Sequence, residues 1–250
     1  MTPLPYDSIF YPECIFGGFT DIDGTITFYT RVNALARPEF CVINFGCGRG
    51  AHDEDLVEYR KNLVSLKGKV ARVVGMDIDP VANQNPAIDE FVLLPPSGVW
   101  PVPDGSAHMI VCDQVMEHLP SPPLFFAEAK RVLAPGGCLC VRTTNVLSYA
   151  GMAARLVPNR LHAGILRRLK VNREEEDVFP TLFRCNTVSA LRRQLTAQNF
   201  HCVVYGYEAE PSYLRISKLT YGIGVLHQRL APRCVRPTIF AFGRAPEQRA

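Results

Sequence analysis

The chain has 250 residues, 47% of them hydrophobic and 20% charged, with a formal net charge of +3. That length fits one large α/β domain or two small ones, and the composition fits a globular protein with a sizeable core. So weak a positive charge is no argument for nucleic acid. The start, MTPLPYDSIFYPEC, has no basic region ahead of an apolar stretch, so no secretory leader is expected, and no run of about 18 apolar residues marks a membrane span.

The first notable stretch is FTDIDGTIT (19–27). Its Asp-x-Asp-Gly-Thr run resembles the nucleophile motif of haloacid-dehalogenase-like phosphatases. Such a nucleophile belongs at the tip of a buried apolar strand, but the preceding IFGGFT places two glycines there. No Gly-Asp-x-x-x-Asp element follows a later strand. TITFYTRVNALA instead carries Phe28, Val32 and Leu35 at helical spacing. Asp23 is then the N-cap or its neighbour, with Asp21 favouring the positive helix end.

Downstream, short apolar runs alternate with amphipathic stretches. FCVINF (40–45), KVARVVGMDI (69–78), DEFVLL (89–94), AHMIVCD (107–113) and GGCLCVRT (136–143) read as strands, several of them apolar on both faces. Leu56, Tyr59, Leu63 and Leu66 form a helical stripe behind Asp53, Glu54 and Asp55. SPPLFFAEAKRVLAPGG starts with Pro in its first turn and stops at Pro-Gly-Gly. Residues 146–185 break the alternation and read as an insertion covering the site. NTVSALRRQLTAQNF has Asn186 or Thr187 as N-cap and a buried stripe of Val188, Leu191 and Leu195. HCVVYGYE (201–208) and RPTIFAFGRA (236–245) are the last strand candidates. The alternation implies a single α/β domain with a doubly wound parallel sheet.

Nine cysteines, at 14, 41, 47, 112, 138, 140, 185, 202 and 234, include no CxxC pair. Free thiols in a reducing cytoplasm are expected rather than a disulfide frame, and no metal site.

The most informative stretch is CVINFGCGRG. A strand runs directly into Gly46-Cys47-Gly48-Arg49-Gly50, as it must where the chain turns sharply and a ligand touches backbone. Taken alone, Gly46-x-Gly48-x-x-Ala51 also fits a dinucleotide fingerprint. The next strand ends at Asp77, where a carboxylate can accept from both hydroxyls of an adenosine ribose. Asp79, followed by Pro80, reads as a turn or capping residue.

With INFGCGRG, GMDIDP, LPPSGVWPVPDGSAHMIVCDQVMEHL and EAKRVLAPGGCLCVRTTN in this order, the chain resembles a class I S-adenosylmethionine-dependent methyltransferase of the small-molecule type across roughly residues 40–145. The resemblance implies a Rossmann-like, mostly parallel seven-stranded sheet with helices on both faces and an antiparallel last strand. It implies S-adenosylmethionine as cofactor, with Gly46, Cys47, Gly48 and Gly50 at its methionine part, Asp77 at the ribose and Ile78 at the adenine. Gln114 and Val115 would lie near the methylthio end. Asn44 stands where the family usually has an acid, and Leu93-Leu94-Pro95-Pro96 where it often has Asp. A helix ahead of the first strand often borders the pocket in this family, so Tyr29 and Arg31 are candidates for the cofactor carboxylate, with 1–39 as a lid.

His118 and His162 are candidate bases, the former alternatively starting or capping a helix. Asn145, Asn159 and Arg160 could orient an acceptor. DQVM replaces the Asn/Asp-Pro-Pro-aromatic motif of enzymes that methylate nucleic-acid base amines, and the Pro-Cys pair of cytosine C5 enzymes is missing. A small or lipid-like acceptor, methylated on O, C or N, is therefore expected. A nicotinamide oxidoreductase and an inactive binding protein of the same fold stay open. RLVPNRLHAGILRRLKVNR (155–173) is basic but is followed by EEED. Ile216, Leu219, Ile223, Leu226 and Leu230 form a stripe with Arg215, Lys218 and Arg229 outside it. Packing on its own domain is the expectation, with a membrane surface as the alternative.

Overall fold

Seven strands form one sheet in the order β3-β2-β1-β4-β5-β7-β6. The computed structural model describes residues 6–156 and 180–247. The strands are β1 (Cys41–Phe45), β2 (Arg72–Asp77), β3 (Glu90–Leu93), β4 (Ala107–Asp113), β5 (Leu133–Thr144), β6 (His201–Tyr207) and β7 (Thr238–Arg244). β1 to β5 pair in parallel, and β7 inserts antiparallel between β5 and β6. The expected Rossmann-like architecture is therefore present, with β7 as the antiparallel strand.

Both faces of the sheet are covered. Successive strand residues point to opposite faces. On one face Ile43, Ile110, Cys112 and Leu139 pack with Phe125, Phe126, Leu191 and Leu195. On the other, Val42, Met109, Val111 and Cys140 pack with Phe28, Val32 and Leu66. This double burial is why the central strands read as continuous apolar runs.

Among the described residues the helices are α1 (Asp7–Phe10), α2 (Gly24–Leu35), α3 (Glu58–Val64), α4 (Pro122–Val132), α5 (Tyr149–Leu156), α6 (Val188–Ala197) and α7 (Lys218–Leu230). Asp23 caps α2, its Oδ1 accepting from Ile26 N at 2.8 Å. Thr187, not Asn186, caps α6; Asn186 is buried and donates to Thr143 Oγ1 at 2.8 Å. All nine cysteines are free.

Three expectations need correction. The stripe assigned to α3 fails at its start: Leu56 lies before the helix, and both it and Tyr59 are exposed. A 3-10 turn at Ala51–Glu54 displaces the helix start, and Asp55 is engaged with Arg60. β5 begins at Leu133, because Leu133 pairs with Ala107 before a register shift, so Pro-Gly-Gly lies within the strand. The stripe from Ile216 to Leu230 is not packed on the domain. Its five side chains are 57–75% exposed, while Tyr221 and Val225 face inward. Among the described residues no helix is long and apolar enough to cross a membrane.

Candidate functional site

The carboxyl ends of β1, β2 and β4 meet at the glycine turn. Gly46 N donates to Met76 O at 2.7 Å, tying the end of β1 to β2. Gly46, Gly48 and Gly50 all have positive φ, at 68°, 56° and 90°. At Gly46 a side chain is excluded twice over, because an added Cβ would lie 2.3 Å from Val115 Cγ2. At Gly48 a Cβ would meet nothing within 4 Å, so this turn of backbone faces open space. With no side chain at Gly48, a ligand can approach the backbone of such a turn closely.

Asp77 organises the turn. Its Oδ2 accepts from Gly48 N at 2.9 Å and its Oδ1 from Asp79 N at 3.0 Å. A carboxylate has about four acceptor positions, so each oxygen retains capacity for a ribose hydroxyl. Ile78, 62% exposed, presents an apolar side chain next to it. Asp79 caps the following 3-10 turn and accepts from Arg49 at 2.9 Å. Asn85 is a member of this site that has no recognisable motif. Buried, it donates to Cys47 O at 2.8 Å and Gly48 O at 3.1 Å, clamping the turn from beneath. Burial, with Asp77 adding, pushes the Cys47 thiol up to about 12, so it stays protonated. Asn44 is half-buried on β1, and Leu93 is exposed at the tip of β3.

A second region lies where α2, β4, β5, β6 and β7 converge. It is a cleft of about 230 Å³ whose lining includes Asp23, Thr25, Arg60, Gln114, Arg142 and Glu210. Gln114 links it to the first region, since Val115, its neighbour, touches the glycine turn. Gln114 has φ 55°, an uncommon conformation for a residue with a side chain. Its N–H donates to Arg142 O at 2.8 Å, which holds the β4 tip against β5.

Both cations of the cleft are matched by carboxylates. Arg142 donates to both oxygens of Asp113 at 2.6 Å and to Thr25 Oγ1 at 2.7 Å. Tyr29 donates to the same Asp113 at 3.1 Å and lies under the Arg142 guanidinium with Phe28. Arg60 donates to Asp23 at 2.7 Å and to Asp55 at 2.8 Å. Glu210 differs. Its carboxylate accepts from Thr20 Oγ1 at 3.3 Å and, among the described residues, forms no ion pair. Burial, reinforced by Asp23 across the cleft, holds its carboxyl above the usual carboxylate range.

The structure distributes the sequence candidates unevenly. Gly46, Cys47, Gly48, Gly50, Asp77, Ile78 and Val115 gather at the glycine turn, and Gln114 sits between turn and cleft. The Tyr29 hydroxyl is engaged with Asp113. Arg31 is exposed one turn beyond Thr27, whose hydroxyl meets Tyr207 of β6 at 3.0 Å, on the side of the sheet edge away from the glycine turn. His118 ends a 3-10 turn after β4, and its Nδ1 donates to Pro180 O at 3.0 Å. The Asn145 amide is occupied by Cys234 O and Arg236 O, a structural role. His162, Asn159 and Arg160, like most of the 146–185 insertion, lie outside the described residues. Sequence reasoning missed Glu210, Arg142 and Asp113. A charged residue inside the apolar run CLCVRT was a visible signal for Arg142.

A methyltransferase-domain family model matches residues 25–204. A probable S-adenosylmethionine-dependent methyltransferase of Mycolicibacterium smegmatis is 32% identical over 114 residues, 44% of this chain and 40% of that protein. The match thus spans less than half of that relative. The fold is similar to that of the putative methyltransferase in complex with the Trm112 activator of Haloferax volcanii. There the TM-score is 0.55, with 14% identity over 91% of this chain and 92% of that one. An S-adenosylmethionine-dependent methyltransferase from Archaeoglobus fulgidus gives a TM-score of 0.53, with 13% identity over 93% and 97% of the two chains. At these identities the two structures speak for the fold alone.

Proposed function

Because the chain belongs to the methyltransferase-domain family of class I S-adenosylmethionine-dependent methyltransferases, we propose that it methylates a small-molecule or lipid-like acceptor. The observation that carries this reading is the adjacency of two sites: an open glycine turn organised by Asp77, and a walled cleft joined to it through Gln114 and Val115. S-adenosylmethionine, when bound, supplies a methyl group on a positively charged sulfonium, poised for in-line transfer. Gly46, Cys47, Gly48 and Gly50 would hold its methionine part, Asp77 its ribose and Ile78 its adenine. Asn44 is the candidate for its ammonium end, in place of an acid.

The protein's own contribution is alignment and proton handling. The cleft bounds the acceptor between α2 and the turn after β6. Glu210 takes the proton that a hydroxyl or amine acceptor loses as its new bond to carbon forms, and passes it to solvent. A carboxyl raised above its ordinary range is a better base than an unperturbed one. Arg142 and Arg60 stay neutralised by Asp113 and Asp23 and shape the wall. A cleft of about 230 Å³ suits a small group or one end of a longer molecule.

Incubation with methyl-labelled S-adenosylmethionine and a panel of alcohols, phenols, amines, prenyl compounds, phospholipids and nucleic acids tests this. Labelled product is expected from a small or lipid-like member only. Label entering nucleic acid alone overturns the acceptor class. Binding without transfer to any class favours a non-catalytic member of the fold.

A further inference from the structure

Helix α7 has apolar side chains on two faces. Tyr221 and Val225 pack inward with Tyr11, and Gly224 sits against Pro211. On the far side Leu219, Ile223, Leu226 and Leu230, with Ile216 just ahead of the helix, are exposed. Their spacing of four, three and four residues keeps the helical four in one narrow stripe. Single exposed leucines are ordinary, but a contiguous stripe marks an interaction surface. The helix is firmly formed: Ser217 and Thr220 make a reciprocal capping box. Elements packed beside it add exposed Ile9 from α1 and Met152 from α5.

The charges carried by the helix itself and by the chain after it, up to Pro246, are of one sign. Between Pro211 and Pro246 the chain contains no Asp or Glu. Exposed Lys218 and Arg229 lie along one edge of the stripe, and exposed Arg233 follows the helix. The other edge holds His227, bonded to Glu208 at 2.8 Å. We propose that this face docks on an anionic lipid surface, the aliphatic stripe entering the acyl boundary and the cations meeting lipid phosphates. Aliphatic groups flanked by cations are what such a surface recognises. A second copy fits less well. Antiparallel pairing of two α7 stripes would bring Lys218 of one toward Arg229 of the other, like against like. Docking would also bring the rim of the cleft near the lipid, since Glu210 and Ser212 lie shortly before the Ser217 cap. Docking of this face is independent of the reaction proposed above.

Co-sedimentation of the full chain with vesicles is the test. One set is phosphatidylcholine alone, the other contains about one-third phosphatidylglycerol. Sedimentation is expected with the anionic set and not with the neutral one. The Ile223→Asp, Leu226→Asp variant should bind about tenfold more weakly or worse. Lys218→Glu and Arg229→Glu should each weaken binding about fivefold. Circular dichroism and S-adenosylhomocysteine affinity should stay at wild-type values; should the aspartate variant fail to fold, the two charge reversals read the same face. Equal sedimentation with both vesicle sets, none with either, or binding insensitive to these substitutions overturns the proposal. A dimer by light scattering that Leu226→Asp dissociates, in protein that ignores anionic vesicles, overturns it in favour of a contact between copies.

Discussion

Arg142→Ala is expected to lower the free energy of unfolding by about 3 kcal/mol. The guanidinium and the Asp113 carboxylate are 13% and 17% exposed and meet through two bonds of 2.6 Å. Removing the cation leaves the carboxylate nearly buried, with the Tyr29 hydroxyl at 3.1 Å as its remaining side-chain partner among the described residues. It also removes the group lying over the Phe28 and Tyr29 rings and the bond to Thr25. Arg142→Lys should rescue little, because an ammonium cannot bridge both carboxylate oxygens and Thr25 in one plane. The paired replacement Arg142→Met with Asp113→Leu should recover part of the loss, since it leaves neither charge unmatched. Chemical denaturation of the four proteins checks this. A loss under about 1 kcal/mol in Arg142→Ala would mean that the pair behaves as an exposed one.

Glu210→Gln is expected to lower kcat by about a hundredfold or more while leaving S-adenosylhomocysteine affinity unchanged. The substitution keeps the shape of the side chain and removes its basicity together with its charge. Glu210 lines the cleft and does not touch the glycine turn, so cofactor affinity separates a lost base from a damaged fold. The pH profile gives a second readout. The base works when deprotonated, and burial raises its pKa, so wild-type kcat should rise with pH through a point above the ordinary carboxylate range. In Glu210→Gln that rising limb should vanish. An unchanged kcat with a raised KM would instead make Glu210 a group that positions the acceptor.

The framework of the fold was legible because burial on both sheet faces leaves a direct mark. Runs such as AHMIVCD have no polar face, and β4 indeed has Met109 and Val111 on one side and Ile110 and Cys112 on the other. Asp23 was legible as a cap because its oxygen serves a donor three residues away. The glycine turn was legible because positive φ admits few other residues.

Other features lacked such a mark. Periodicity shows that α7 has an apolar stripe but not which side is buried. Here the inner contact uses Tyr221, Gly224 and Val225, and the more hydrophobic stripe faces out. In α3, the 3-10 turn at Ala51–Glu54 shifts the helix start, so the pattern counted from Leu56 begins outside it. The cleft was the least legible part. Thr25 meets Arg142 across 117 positions, and Thr20 meets Glu210 across 190. Only the folded sheet brings such residues together, and nothing local in EAEPS distinguishes Glu210 from a surface acid.

We propose that the turn at Gly46–Gly50 and Asp77 hold S-adenosylmethionine. Calorimetric titration of the full chain with S-adenosylhomocysteine and, separately, NADH tests it most directly. One S-adenosylhomocysteine per chain is expected, with no heat from NADH, and binding at least about tenfold weaker in an Asp77→Ala variant whose far-UV spectrum is native. NADH binding without S-adenosylhomocysteine binding, or an affinity that Asp77→Ala leaves unchanged, would contradict the account.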